Sequence, residues 1–356
     1  MSVRFRRSIK LAPGVKVNLT KTGLGLTLGP RGAHYSVHSS GRRTRSIGLP
    51  GTGFYYQSRV GGSQSRAGTA SGIADARVAG AAVPRTVLEA IPHPGLFASG
   101  TEKAYHAGLL AYLSGDEAST ASSFEAVLSA DPTVASAHVF AGFAANAQGD
   151  IPRAIGHLEG VVAGTYHLPD RLETKYLINV GLLISLVVRI TEAVSASVPM
   201  SAIGAALGLA ELYQSSGRLS EAIGLVHQIH TAVPDPIVRL SLSDLLFADG
   251  DYTGVVEAST GVVNGSDVDL ETLHLRAAAF GALGDDTAAM DAFRAALGKS
   301  VGRDPALLTA IRYDRALAYA RLGQTAKAKA DLERVYAADP SFEDAKERLA
   351  EMSSGG

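Results

Sequence analysis

The sequence predicts a mainly α fold: an α-solenoid of stacked helix pairs, carried behind a small antiparallel β module at the amino end. Two patterns in the 356 residues predict it. Glycines that can end a helix recur at 115, 149, 217, 250, 284 and 323, at intervals of 34, 68, 33, 34 and 39. The first 57 residues instead alternate apolar and polar side chains with a period of two, which is strand spacing. Charge sets the two regions further apart. Residues 1–74 hold 12 Lys and Arg and no Asp or Glu, residues 75–100 hold two of each sign, and residues 101–356 hold 19 basic and 32 acidic residues. The formal net charge of −1 therefore hides a basic amino-terminal stretch of +12 over residues 1–74 and an acidic body of −13.

The head, residues 1–57, reads as short strands. Val15, Val17 and Leu19 alternate with Lys16, Asn18 and Thr20; Leu24, Leu26 and Leu28 follow, then Ala33, Tyr35 and Val37. Turn residues separate the runs at Lys21–Gly23, Gly29–Gly32, Ser39–Arg42 and Leu49–Gly53. Connections this short require antiparallel pairing, because parallel strands need long crossovers. Val3 and Phe5 offer one further strand. Residues 58–100 form the connection to the body. Within 58–82 there are 5 Gly, 4 Ser and 7 Ala, and such a chain has a reach of roughly 27 Å. The short apolar piece Val87–Ile91 that follows has room for a single helical turn.

The body, residues 101–352, repeats a pattern around each glycine. Seven residues before the glycines stand Gly108, Gly142, Ala210, Ser243, Ala277 and Ala316, all small. Five residues after stand Thr120, Ala154, Ala222, Val255, Ala289 and Ala328, and nine after stand Phe124, Leu158, Val226, Ser259, Phe293 and Leu332. Three of the six have proline seventeen residues after: Pro132, Pro234 and Pro340. Two antiparallel helices joined at the glycine approach closely where both present small residues, and the large residues beside those points fill the space to the next pair. One pair leaves its apolar face uncovered, so six or seven must stack. Residues 169–202 fill one repeat length without the motif, and Ser259 breaks it in the fourth pair. Glu343 to Met352 reads as a closing helix. The most apolar run, Tyr176 to Val188, is thirteen residues between Lys175 and Arg189. A membrane span needs about 20, so the run is expected to be a buried core helix and the protein soluble and cytoplasmic.

On these residues the body resembles the tetratricopeptide repeats over about 250 positions. The agreement is best around Gly217 (Ala210, Tyr213, Ala222, Pro234) and Gly323 (Ala316, Tyr319, Ala328, Pro340). The resemblance implies a groove, lined by the first helix of each pair, that binds a segment of another protein. Its candidates are Tyr105, Leu109, Tyr112, Phe140, Phe143, Asn146, Glu211, Gln214, Asp244, Phe247, His274, Tyr313 and Arg321, with core packing between pairs as the alternative for each apolar one. The head, from Phe5-Arg-Arg-Ser to Lys21-Thr-Gly23 and again at Gly48-Leu-Pro-Gly-Thr-Gly53, is similar to a short bacterial family, domain of unknown function 4236. That resemblance implies a bacterial source and brings no activity.

The remaining chemistry is limited. Arg4, Arg6, Arg7, Lys10, Arg42, Arg43 and Arg45, with Tyr35, Tyr55 and Tyr56 interleaved, are candidate anion-binding residues for nucleic acid, an anionic membrane surface or the acidic body. No nucleic-acid motif accompanies them. The glycine groups at 23–29 and 48–53 lack the spacing and following helix of a phosphate-binding loop. His227 and His230 share a helical face and His34 and His38 a strand face, each without a third ligand. The 356 residues include no Cys, which excludes disulfides and thiolate chemistry. No cofactor, metal or catalytic constellation is expected. The expectation is therefore a non-enzymatic scaffold with a protein partner. Its rivals are a nucleic-acid-binding protein and an enzyme with its site between head and solenoid.

Overall fold

Helix pairs form around a glycine at each turn, joined in four of the six by a capping residue. All six of the glycines at 115, 149, 217, 250, 284 and 323 have positive φ, between 68° and 86°, a region that costs an L-residue roughly 1–2 kcal/mol. In four turns the next residue is an Asp that caps the second helix. Asp116 accepts from Ser119 N–H at 3.0 Å, Asp150 from Arg153 at 3.2 Å, Asp251 from Gly254 at 2.9 Å and Asp285 from Ala288 at 2.9 Å. Each satisfies an amide that the helix itself leaves unpaired.

The structure, a computed structural model, describes Leu88, residues 91–180 and 184–354, and the backbone of six strands between Arg6 and Val60. Those strands are β1 (Arg6–Ala12), β2 (Val15–Thr20), β3 (Gly23–Leu28), β4 (Ala33–His38), β5 (Arg43–Gly48) and β6 (Tyr55–Val60). They pair antiparallel in sequential order, with Val17 opposite Ile9 and Leu26, and Tyr35 opposite Leu28 and Arg45.

From residue 91 the described chain falls into two compact units, divided at Ile229 and His230; the segment Ile190–Val194 belongs to the second. The first unit contains α1 (Gly100–Ser114), α2 (Glu117–Ala130), α3 (Ala135–Ala147), α4 (Ile151–Val162) and the short α5 (Arg171–Tyr176). A two-stranded hairpin, β7 (Ser185–Arg189) with β8 (Ser195–Pro199), and α6 (Ala202–Ser215) follow. The division falls within α7 (Leu219–Ala232). The second unit contains α8 (Pro236–Asp249), α9 (Tyr252–Ala258), α10 (Asp267–Ala282), α11 (Asp286–Leu297), α12 (Pro305–Arg321), α13 (Thr325–Ala338) and α14 (Ala345–Ser354). The described residues thus hold six pairs and a closing helix. The helices before Pro132, Pro234 and Pro340 each stop two residues short of the proline, at Ala130, Ala232 and Ala338.

Packing within a pair follows the small-residue pattern. Thr120, Ala154, Ala222, Val255, Ala289 and Ala328 are all fully buried. A Cβ added at Gly108 would lie 2.9 Å from the Phe124 ring, and one at Gly142 would lie 3.0 Å from Leu158. Ser259, the odd residue of the fourth pair, is also fully buried, and its hydroxyl donates to Val255 O at 2.6 Å. The closing helix covers Ala316, Leu332 and Val335 with Ala345, flanked by Phe342, Leu349 and Met352.

One expectation fails. Tyr176–Val188 is not a core helix, and residues 169–202, which fill a repeat length without the motif, hold the short α5 and a hairpin. The run breaks after α5 into a 3₁₀ turn at Ile178–Val180 and then β7. Leu186 pairs with Val198 and Val188 with Ala196, and all four side chains are buried. A thirteen-residue run without charge sets a length but not a period. The β-branched Val187 and Val188 and the alternation opposite Ser195–Pro199 suit a half-buried hairpin.

Candidate functional surface and polar clusters

The face expected to hold a partner is filled, in the first unit, by the chain itself. Tyr105, Leu109 and Phe140 are fully buried, and Phe143, Asn146 and Tyr112 nearly so. These six were expected along a groove and are interior instead. Tyr105 and Phe140 pack against Phe124, edge-on at 5.5 Å and stacked at 4.6 Å, and Tyr112 meets Phe140 at 4.8 Å. The segment after α4 then covers α1. Tyr176 lies 5.8 Å from the Tyr105 ring and 6.1 Å from His106, and Lys175 pairs with Glu102 at 2.6 Å. Asp170 fixes the cover to α3. One carboxylate oxygen accepts from Ser136 N–H at 2.7 Å, while the other caps α5 through Leu172 and Glu173 N–H at 2.8 and 2.9 Å. The Tyr105 hydroxyl reaches Ser136 Oγ at 2.8 Å. Farther along, Phe143 closes on Gly208 of α6, where a Cβ would lie 3.1 Å from the ring. Residues Ala135 to Asn146 of α3 are consequently buried on every side of the helix.

Buried polar atoms under this cover, among them His106 Nε2 and Glu173 Oε2, have no hydrogen-bond partner. Burial, then the nearby Asp170 carboxylate, pushes the Glu173 carboxyl up to about 7, while Asp170's own amide N–H holds it back in part. Burial, then His93, holds the His106 imidazole below its ordinary value.

A second cluster ties α2, α3 and α4 together. His138 Nδ1 faces His157 Nδ1 at 3.1 Å, His138 Nε2 faces Pro132 O at 2.9 Å, and His157 Nε2 faces Glu125 Oε1 at 2.9 Å. Arg153 pairs with the same Glu125 oxygen at 2.8 Å, and the Tyr166 ring stacks on His138 with centroids 4.1 Å apart.

In the second unit the expected surface residues keep more exposure. Asp244, Phe247, His274 and Tyr313 are half-buried and Arg321 is exposed. Phe247 meets Tyr252 edge-on at 5.3 Å, Tyr313 donates to Asp344 at 2.5 Å, and Arg321 pairs with Asp286 at 2.7 Å. His274 stands between Glu271 at 3.2 Å and Asp314 at 2.6 Å. Burial opposes its charge, but the bonds to Asp314 and Glu271 prevail and raise it to about 9, so it is an imidazolium at neutral pH. Thr191 adds its hydroxyl to Glu271 at 3.4 Å. Glu211 and Gln214, in the first unit, are half-buried on α6.

Arg6, Arg7 and Lys10 lie on β1 and Arg43 and Arg45 on β5; their side chains, with Arg4, Arg42, His34 and His38, lie outside the described residues. His227 and His230 both lie on α7. Among the described residues no group of three or more His, Asp or Glu is arranged to hold a metal ion, and no helix is long and apolar enough to cross a membrane. The cover over α1 and the paired histidines escaped the sequence reading. The Asp170-x-x-Glu173 spacing that opens α5 is a legible signal for the former.

Comparison with known proteins finds two family matches in the chain. Residues 3–57 match the family described as protein of unknown function DUF4236, and residues 179–354 match the N-terminal domain of the ESX-1 secretion system protein EccA1. The helical part is a tetratricopeptide-like stack of helix pairs. Among solved structures, the N-terminal domain of the EccA1 ATPase from Mycobacterium tuberculosis is 17% identical, with 71% of this chain and 89% of that one covered and a TM-score of 0.49. The C-terminal part of a TPR repeat-containing protein from Cytophaga hutchinsonii is 15% identical over the same shares, also at 0.49. Against the APC/C hetero-tetramer Cut9–Hcn1, at 14% identity and a TM-score of 0.43, the match covers 70% of this chain and only 42% of the other. No curated protein matches the chain.

Proposed function

We propose that the chain is a non-enzymatic interaction scaffold of the bacterial cytoplasm, whose later helix pairs hold a protein partner while the basic head engages an anionic ligand or the acidic body. The repeated pair itself carries this reading. Stacked pairs present rows of side chains from their first helices, and such rows suit an extended segment of another protein. The first two pairs are filled by the chain's own cover, so the reading puts the partner on α8, α10 and α12, where Phe247, Tyr313 and Arg321 retain solvent contact. The match of residues 179–354 to a secretion-system domain falls on this same half and supports it.

The test is site-specific photocrosslinking in cells, with the crosslinker introduced at Phe247, at Arg321 and, as a control, at the exposed Glu333 of α13. One protein band common to the first two positions and absent from the third is the expected result. Equal labelling at all three, or none, overturns the reading.

A second reading, nucleic-acid binding through the head, rests on the 12 basic and no acidic residues of positions 1–74. It requires that the full chain bind polynucleotide with an affinity that falls steeply with salt.

A further inference from the structure

The hydrogen bonds around His138 and His157 fix a proton count. Pro132 O only accepts, so His138 Nε2 carries a hydrogen. The Glu125 carboxylate, held by Arg153 at 2.8 Å, also accepts, so His157 Nε2 carries one too. The two Nδ1 atoms then face each other at 3.1 Å. With no hydrogen between them two lone pairs oppose; with two, a pair of N–H groups oppose. Only one shared hydrogen makes a bond. For all these contacts to be hydrogen bonds, the pair must hold three ring protons and one positive charge. In that arrangement the charge sits on the ring beside Glu125, and His157 Nδ1–H donates to His138. Burial, partly offset by the Pro132 carbonyl and reinforced by the charge on His157, holds His138 below its ordinary value, in keeping with that assignment.

This pair touches a strap. Tyr166 lies flat between the His138 ring, with planes 12° apart, and Gly160 of α4, where any Cβ would lie 2.5 Å from the tyrosine ring. Thr165 and Tyr166 N–H both donate to Gly160 O, at 3.0 and 3.2 Å. The strap runs on through Asp170 into α5, the element that covers Tyr105 and His106. The charged groups packed around His138 are Glu125 from α2 and Arg153 and His157 from α4, while the neighbouring Asp131 is turned to Thr133 and Arg171.

We propose that the single proton shared by His138 and His157 is the pin of this strap, and that acidification, by adding a second proton, releases Tyr166 and loosens the 163–177 cover from α1. Two like-charged rings bearing opposed N–H groups lose their bond and repel. His138 then turns from His157, and Tyr166 loses the ring it lies on. That release opens a partner face rests on the reading above; the pin itself does not.

Two measurements on the full-length protein test it. Histidine-selective ¹⁵N NMR at about pH 7.5 counts the protons: His138 is expected as the neutral Nε2–H tautomer and His157 as imidazolium. Hydrogen exchange, corrected for its intrinsic pH dependence, compares segment 163–177 at about pH 7.5 and pH 5.5 in Glu173→Gln, the parent for this comparison, because the Glu173 carboxyl under the same cover is raised to about 7 and would otherwise titrate in the window. The expected result is about tenfold faster exchange in acid, the loss of one charge-assisted bond, with α12 and α13 unchanged as an internal control. His157→Asn offers an amide that flips to donate or accept, so exchange in this variant is expected to be equal at the two pH values. Equal exchange in the parent protein, or an undiminished pH step in His157→Asn, overturns the pin. A zinc ion that binds stoichiometrically at about pH 7.5 and shifts both histidines also overturns it, in favour of a metal between the two nitrogens. Partner crosslinking is scored separately, so either idea can fail alone.

Discussion

At the scale of single residues, Glu173 shows how a legible motif conceals an energetic cost. Asp170-x-x-Glu173 is a capping box, and its two members exchange bonds with each other's amides. What spacing does not reveal is that the box is folded under α1 and leaves Glu173 Oε2 buried without a partner. Burial, then Asp170, raises the carboxyl from 4.5 to about 7. Below the unfolded value both states hold the proton and nothing is lost. As pH rises from 4.5 to 7 the unfolded chain gives up its proton before the folded one, so stability falls through that window and stays lower above it. Glu173→Gln keeps the capping geometry and removes the charge. It is expected to leave urea stability near pH 5 almost unchanged and to raise it near pH 8 by on the order of 2 kcal/mol, read as a shift in midpoint by circular dichroism. Equal midpoints at pH 8 would mean that water reaches the carboxylate. The small residues at Gly108 and Gly142 were legible because contact inside a helix pair is a matter of spacing. The histidine pair was not, because His138 and His157 stand 19 residues apart on different helices and no local pattern joins them.

At the scale of elements, helices and turns were legible wherever a glycine with positive φ and an Asp cap coincide, and illegible where length replaced period. The hairpin of β7 and β8 is the clearest case. Its apolar run was read by its thirteen residues, although the buried side chains Leu186 and Val188 alternate as a strand requires. The fourth pair is a subtler one. Serine at position 259 was noted as a departure, and the structure gives its consequence: α9 stops at Ala258 after seven residues. Ser259 and Thr260 hydroxyls turn back to Val255 O and Val256 O at 2.6 and 2.9 Å, and Gly261 follows at φ 75°. Side-chain bonds of this kind compete with helix propagation. The exposed carbonyl end is then taken by Arg276 of α10, whose Nη1 donates to Val256 O at 3.1 Å and stands 3.4 Å from both hydroxyls. Burial lowers the Arg276 pKa from its ordinary value. Arg276→Met preserves the apolar stem and removes the donors. It is expected to cost about 1–3 kcal/mol and to speed hydrogen exchange first in α9, ahead of α10. Uniform loss across the second unit would show that the guanidinium supports packing in general rather than this helix end.

At the scale of the whole chain, the opposition of a +12 stretch over residues 1–74 and a −13 body has to be weighed against what the structure does with its acids. Asp116, Asp150, Asp170, Asp235, Asp251, Asp285 and Asp304 are helix caps, which helix dipoles favour without any partner. Glu102, Glu125, Asp286, Asp331 and Asp344 are paired with Lys or Arg. The acidic composition therefore has a local structural cause. Capping does not neutralise charge, however, and the caps still contribute to the field around the body. By composition alone, a flexible segment of 25 residues such as 58–82 would reach roughly 27 Å and would hold the head near millimolar effective concentration, at which even a weak attraction between head and body would be populated. Screening decides the matter, because the Debye length falls from about 30 Å at 0.01 M salt to about 3 Å at 1 M. The absence of Cys makes the measurement clean: Ser2→Cys and Ser353→Cys give a single dye pair on the intact chain. Transfer efficiency is expected to fall as salt is raised and to be restored on dilution. If added polynucleotide lowers it at constant salt, the head prefers nucleic acid to its own body. If efficiency is flat from low salt to high, the charge split is a by-product of helix capping and of a separately basic head, and docking between them is removed from the account.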